Sequence, residues 1–143
     1  MSVPSPPPSA RVEVFPERVF ENTEAVVQAI KTGLPAHRFD ELKTLLDVST
    51  GNLLHLVGFS ASTLSRRRQR GRFAEGESER LLRIGRLFHQ AVEVFEDEQL
   101  AREWLKAPQR ALGGEKPLEY ADTGPGAREV ERVLTRIAHG VFT

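Results

Sequence analysis

Between Glu77 and Glu96 the apolar residues Leu81, Ile84, Phe88, Ala91 and Phe95 return at alternating steps of three and four. Only an α-helix gathers those positions onto one face, and the alternation is the seam spacing of packed helices. Leu87 and Val94 widen that face. So broad an apolar surface needs neighbours on more than one side, supplied either by the rest of this chain or by a second copy forming a dimer around this helix. The expected fold class is all-α.

The flanking sequence agrees. Asn22 or Thr23 caps a short helix with Val26, Val27 and Ile30 on one face, and Gly33 stops it. Phe39, Leu42, Leu45 and Leu46 mark a second helix. Ser49 caps a third, through Leu53, Leu54 and Val57 to Gly58, and Ser60 caps a fourth running to about Gly71. After the long helix, Asp97 opens another with Leu100, Ala101, Trp104 and Leu105, and Pro108 ends it. A Gly/Pro-rich connection from Pro108 to Gly126 leads to a last helix. It turns Val130, Val133, Leu134 and Ile137 inward and closes at Gly140. Val141 and Phe142 then form an apolar tail, which belongs either in the chain's own core or against another chain. Five of the nine prolines fall in the first sixteen residues, a lead that forms neither a helix nor a central strand. No strand alternation of convincing length and no internal repeat is present.

Twenty basic and twenty acidic residues give a formal net charge of zero, which at first argues against a nucleic-acid binder. The sum conceals its distribution. Residues 1–59 carry a net of −2, residues 60–72 carry +5 from Arg66, Arg67, Arg68, Arg70 and Arg72, and residues 73–143 carry −3. A charge run is often only a solvated face, so its surroundings decide.

Those surroundings, TGNLLHLVGFSASTLSRRRQRG from Thr50 to Gly71, have the layout of a helix-turn-helix. Gly58 permits the tight turn, and Leu53, Val57, Phe59 and Leu64 hold the inner faces. Ser60 accepts a backbone N–H at the start of the second helix. That helix then offers Ser60, Ser62, Thr63, Arg66, Arg67 and Arg70 as candidate DNA contacts. Short hydroxyls come first, where they let the helix approach base edges, and guanidinium groups that take phosphates or guanine edges follow. Leu54 is a departure, because a small residue is favoured at that close contact. A helical hairpin with a merely cationic face is the competing reading. The domains read as a proline-rich lead over 1–21, a helix-turn-helix region over 22–76 and a second helical domain over 77–143.

Catalytic chemistry is not visible. The histidines His37, His55, His89 and His139 are scattered, so neither a metal site nor a cofactor is expected. With no cysteine, thiolate ligands and nucleophiles are absent. Glu75, Glu77 and Glu79 complement the positive end of the long helix's dipole. TGPG at 123–126 reads as a turn and cap, lacking the strand and the Lys-Ser/Thr ending of a phosphate loop. No run approaches the ~18 apolar residues of a membrane span, and the N-terminus does not read as a signal peptide. A cytoplasmic protein without membrane contact is therefore expected.

The C-terminal words ESERLLRIGRLFHQAVEVF, AREWLKAPQRALGGEKPLEYADT and GAREVERVLTRIAHGVF, with GFSASTLSRRRQRG before them, resemble the antitoxins of RES–Xre toxin–antitoxin pairs, the Xre/MbcA/ParS group. The resemblance covers roughly residues 22–143. It implies a non-enzymatic protein whose first domain binds operator DNA and represses its own operon. Its second domain would dimerise and cap a RES-domain toxin that degrades NAD⁺, two antitoxins commonly joining two toxins. On this chain the cap maps to Trp104, Leu105, Leu112, Gly113, Gly114, Pro117 and Leu118, and to Arg136, Ile137, Gly140, Val141 and Phe142. Tyr120-Ala121 departs from the aliphatic pair usual before Asp122-Thr123. Two rival readings remain: a helix-turn-helix repressor without a toxin partner, and a neutralising domain whose helix-turn-helix no longer binds DNA.

Overall fold

A computed structural model describes Phe20 and residues 22–140. Residues of the proline-rich lead before Phe20, and Val141 and Phe142, lie outside the described residues. Among those described there are eight α-helices, one 3-10 turn and no strand: α1 Thr23–Thr32, α2 Arg38–Leu46, α3 Thr50–Val57, α4 Ala61–Arg70, α5 Glu75–Phe95, α6 Glu98–Lys106, the 3-10 turn Arg110–Leu112, α7 Pro117–Tyr120 and α8 Gly124–Ala138. The fold is all-α.

Local chemistry sets the boundaries. Asn22, Ser49, Ser60, Asp97 and Thr123 each accept a backbone N–H in the first turn that follows them, satisfying donors that a helix start leaves without an internal partner. The Gly- and Pro-rich stretch after Pro108 is more than a connection, because the 3-10 turn and α7 are folded within it. The last helix begins at Gly124, ahead of the expected Gly126.

α5 is the axis of the molecule, packing against α1, α2, α3, α6 and α8. Leu81, Leu82, Ile84, Leu87, Phe88 and Ala91 are all buried, each large side chain contributing roughly 1.5–3 kcal/mol by leaving water. This chain's own helices thus cover the face from Leu81 to Ala91, while Val92, Val94 and Phe95 stay half-buried. The same axis joins the two halves. On α6, Arg102 donates to the Leu45 carbonyl at 2.6 Å and Lys106 to the Asp47 carbonyl at 3.0 Å. Two cations thereby meet the carbonyl end of α2, the negative pole of that helix.

A second tie closes the helix-turn-helix unit on itself. Segment 33–36 lies beside segment 71–73, with the Ala36 N–H donating to Gly71 at 2.8 Å and the Phe73 N–H to Leu34 at 2.9 Å. The buried Ser78 hydroxyl of α5 accepts the Leu34 N–H at 2.9 Å. α3 and α4 are therefore held at both chain ends against the axis.

Candidate nucleic-acid interface and partner surface

The turn between α3 and α4 forms as the sequence requires. Gly58 takes a left-handed φ of +73° and its N–H donates to the Leu54 carbonyl at 2.8 Å. Leu54 itself is half-buried, so the bulk that departs from the usual small residue is accommodated at the edge of the core. Ser60 accepts the Thr63 N–H at 3.1 Å. Leu64 is the single buried residue of α4. The helix rests on the protein through that residue and turns Ser62, Ser65, Arg66, Gln69 and Arg70 to solvent. Thr63 is half-buried and accepts a bond from Arg66 at 3.2 Å.

The arginine block divides once its partners are known. Arg67 donates two bonds to the Glu77 carboxylate, at 2.7 and 3.0 Å, and both side chains are largely withdrawn from water. The Ala74 N–H adds a third bond to Glu77 at 2.8 Å. These bonds, Arg67's foremost, hold the Glu77 carboxyl below the ordinary glutamate range against the opposing effect of burial, and the same pairing raises Arg67. Arg68 reaches Asp40 at 2.9 Å, and Arg72 donates to the Gly33 carbonyl at 2.7 Å. Among the described residues no acid lies within ion-pair distance of Arg66 or Arg70. Among the described residues the +5 segment thus presents two cations without an acid partner, Arg66 and Arg70, on the same exposed helix as Ser62. As an outward-facing contact, Arg67 is corrected: it is folded back onto α5. Sequence reading missed Glu77 and Asp40 because neither stands at a helical spacing from the arginine it meets.

At the far end, the segment after α6 folds into a tight loop. Gln109 and Glu115 pair across it, the Gln109 N–H donating to Glu115 at 3.0 Å and the Gly114 N–H to Gln109 at 2.9 Å. Gly113 and Gly114 both adopt left-handed φ, +67° and +87°, and both are exposed. Such a turn is accessible without strain only to residues lacking a Cβ. Beneath it Leu112, Pro117 and Leu118 are buried, as is Leu105 on α6. These four supply the apolar floor on which the loop stands. Trp104 is half-buried, its ring 5.8 Å from that of Phe95. Arg136 is half-exposed and 3.6 Å from Glu129, Ile137 is half-buried, and Gly140 is exposed.

Beside the loop lies an open cleft of about 800 Å³, lined among others by Gly113, Glu115, Glu119, Tyr120, Asp122 and Glu129. Ala121 is buried while Tyr120 stays at the surface, so the departure from an aliphatic pair places an aromatic ring on the cleft wall. Glu129 is held below the ordinary range, chiefly by the Arg132 hydrogen bond and then by the charges of Arg132 and Arg136. His55 of α3 meets Glu119 of α7 at 3.0 Å, linking the cleft to the helix-turn-helix. Among the described residues no cluster of three or more His, Cys, Asp or Glu is placed to hold a metal, and no helix is long and apolar enough to cross a membrane.

Two family models match this architecture in order. Residues 25–86 match the antitoxin Xre-like helix-turn-helix domain, and residues 90–140 match the antitoxin Xre/MbcA/ParS C-terminal toxin-binding domain. The chain is 33% identical to an antitoxin Xre of Photorhabdus laumondii, over 80% of this chain and 78% of that one. It is also 33% identical to an antitoxin Xre of Yersinia enterocolitica, over 82% and 81%. The chain belongs to the Xre/MbcA/ParS antitoxin family. A more distant relative, 25% identical over 81% of this chain and 79% of its own, is the Prs ADP-ribosylating antitoxin of a Sphingobium strain. The protein is an antitoxin of a toxin–antitoxin system carrying a helix-turn-helix of the DNA-binding kind.

Proposed function

We propose that this antitoxin neutralises a RES-domain toxin that degrades NAD⁺ by covering its active site, and that it represses its own operon through α4. The observation that carries the DNA half is the pairing pattern of the arginine block, which among the described residues leaves Arg66 and Arg70 without an acid partner beside Ser62 on an exposed helix start. Guanidinium groups so placed are available to phosphates and guanine edges. For the toxin half, the support is a surface in which a tight, hydrogen-bonded Gly113–Gly114 loop, Trp104, Arg136, Ile137 and Gly140 accompany an acidic cleft. No catalytic group is required of the antitoxin, because exclusion of the substrate is sufficient. A homodimer joined to two or more toxin chains is part of the same reading.

A second reading concerns the toxin's chemistry. The Sphingobium relative's name links an antitoxin to ADP-ribosylation, so the partner could transfer ADP-ribose to an acceptor protein instead of only cleaving NAD⁺. One experiment addresses both. Tagged antitoxin, expressed with the genes beside its own, is purified and the mass of its complex measured. The released partner is then assayed for NAD⁺ loss with and without cellular protein. The first reading expects a RES partner that consumes NAD⁺ unaided and is silent in the complex. Consumption that needs added protein favours transfer, and absence of any partner would refute neutralisation.

A further inference from the structure

We infer that Arg67 and Glu77 form a positioning clamp for the DNA-reading helix, and that Arg67, although central in the arginine run, makes no contact with DNA. The inference rests on the DNA-binding reading above. α4 keeps only Leu64 in the core, and one apolar contact does not set the rotation of a ten-residue helix. Two side-chain ties add to it: an exposed single bond of Arg68 to Asp40 at 2.9 Å, and the more buried, bidentate bond of Arg67 to Glu77, at 2.7 and 3.0 Å. A fork meeting a carboxylate fixes orientation as well as distance. Glu77 is itself fixed, in the first turn of the long axial helix and bonded to the Ala74 N–H at 2.8 Å. Arg80, one turn further on, donates to the Val57 carbonyl at 3.2 Å and lies 5.8 Å over the Phe59 ring. Consecutive turns of α5 therefore grip both halves of the helix-turn-helix, Arg80 holding the end of α3 and Glu77 holding α4. With the pose of α4 set this way, Arg66 and Arg70 stand outward while Arg67 faces inward.

The two roles open to Arg67 give opposite signs in one variant. Glu77→Gln frees Arg67 and weakens the clamp. If Arg67 were a phosphate contact held in check by Glu77, promoter DNA would bind more tightly and with a steeper salt dependence. As a positioning pair, the variant binds on the order of tenfold more weakly, with the slope of log affinity against log salt unchanged. Arg66→Ala and Arg70→Ala should each instead lessen that slope by about one unit per bound chain. The double variant Arg67→Met with Glu77→Met keeps the packing and removes both charges. A wild-type slope is expected of it, with affinity lowered as in Glu77→Gln because the fork is gone; a slope lessened as in Arg66→Ala would overturn the inference. Fluorescence anisotropy with the full-length antitoxin on its own promoter DNA, from 50 to 300 mM salt, reads all of these. Wild-type protein with no salt-dependent binding would overturn the DNA reading itself, an outcome distinct from a wild-type response with a tightened Glu77→Gln.

Discussion

α4 and α8 are both rich in arginine and handle it differently. In α8, Arg132 and Arg136 share Glu129 at 2.8 and 3.6 Å, acids and bases lying within one or two turns of the same helix. Its inner face is correspondingly substantial, with Ala127, Val130, Val133 and Leu134 buried. α4 contains no acid, and it buries Leu64 alone. Two of its arginines find carboxylates 10 and 28 residues away, in α5 and α2, and two find none among the described residues. Arginine that shares a carboxylate within its own helix is partly neutralised at the solvated face. Arginine matched across the fold is partly structural, and only the unmatched remainder is available to a polyanion. Charge density along a sequence therefore overstates the cationic surface of α4 by the arginines that the fold consumes.

The comparison can be broken most severely at its packing. Leu64→Ala should cost about 2–4 kcal/mol in a urea titration and remove promoter binding, since α4 has no second buried residue to hold it. Retained DNA affinity would mean that the helix is positioned by its polar contacts alone. Next in size, Arg66→Ala combined with Arg70→Ala should weaken promoter binding roughly a hundredfold and leave toxin neutralisation intact. The same double replacement at Arg132 and Arg136 should leave DNA affinity unchanged, and a loss there would erase the contrast between the helices. A smaller effect of opposite sign is expected from Asp40→Asn. It releases Arg68 from an exposed pair worth at most about 1 kcal/mol, so DNA binding should tighten by a few-fold and its salt dependence steepen.

The smallest effect separates the two carboxylates by acid titration. Glu77 has a depressed value in the folded protein. Its contribution to stability is complete above the ~4.3 of a free glutamate and is lost as pH falls through the lower folded value. Glu77→Gln should flatten the fall of the unfolding midpoint in that acid window. Glu129, also depressed but paired with arginines that stand largely in water, should give a weaker flattening when replaced by Gln. Equal responses would show that burial does not distinguish the two pairs.

Much of the fold was legible because its determinants are local. A side-chain oxygen that caps a helix does so within three residues, as Ser60 does for the Thr63 N–H at 3.1 Å. The periodicity of α5 likewise records which of its positions are buried. The structured turn and α7 between Pro108 and Gly126 were missed because a three-residue 3-10 turn and a four-residue helix are too short to show a period. At the candidate partner surface, sequence words drew Leu105, Leu112, Pro117 and Leu118 together with Gly113 and Gly114. Nothing along the chain separates the residues that support a loop from those that it displays.

From its sequence alone this protein is bound to be helical, with a helix-turn-helix ahead of a long apolar-faced helix, because hydrophobic period and capping act over a few residues. Its sequence likewise marks where the positive charge is concentrated. Tertiary structure decided how much of that charge remains available, since Arg67 and Arg68 are claimed by carboxylates that only folding brings near. It also decided which helices cover α5 from Leu81 to Ala91, because burial is shared among helices whose distance in sequence says nothing of their distance in space.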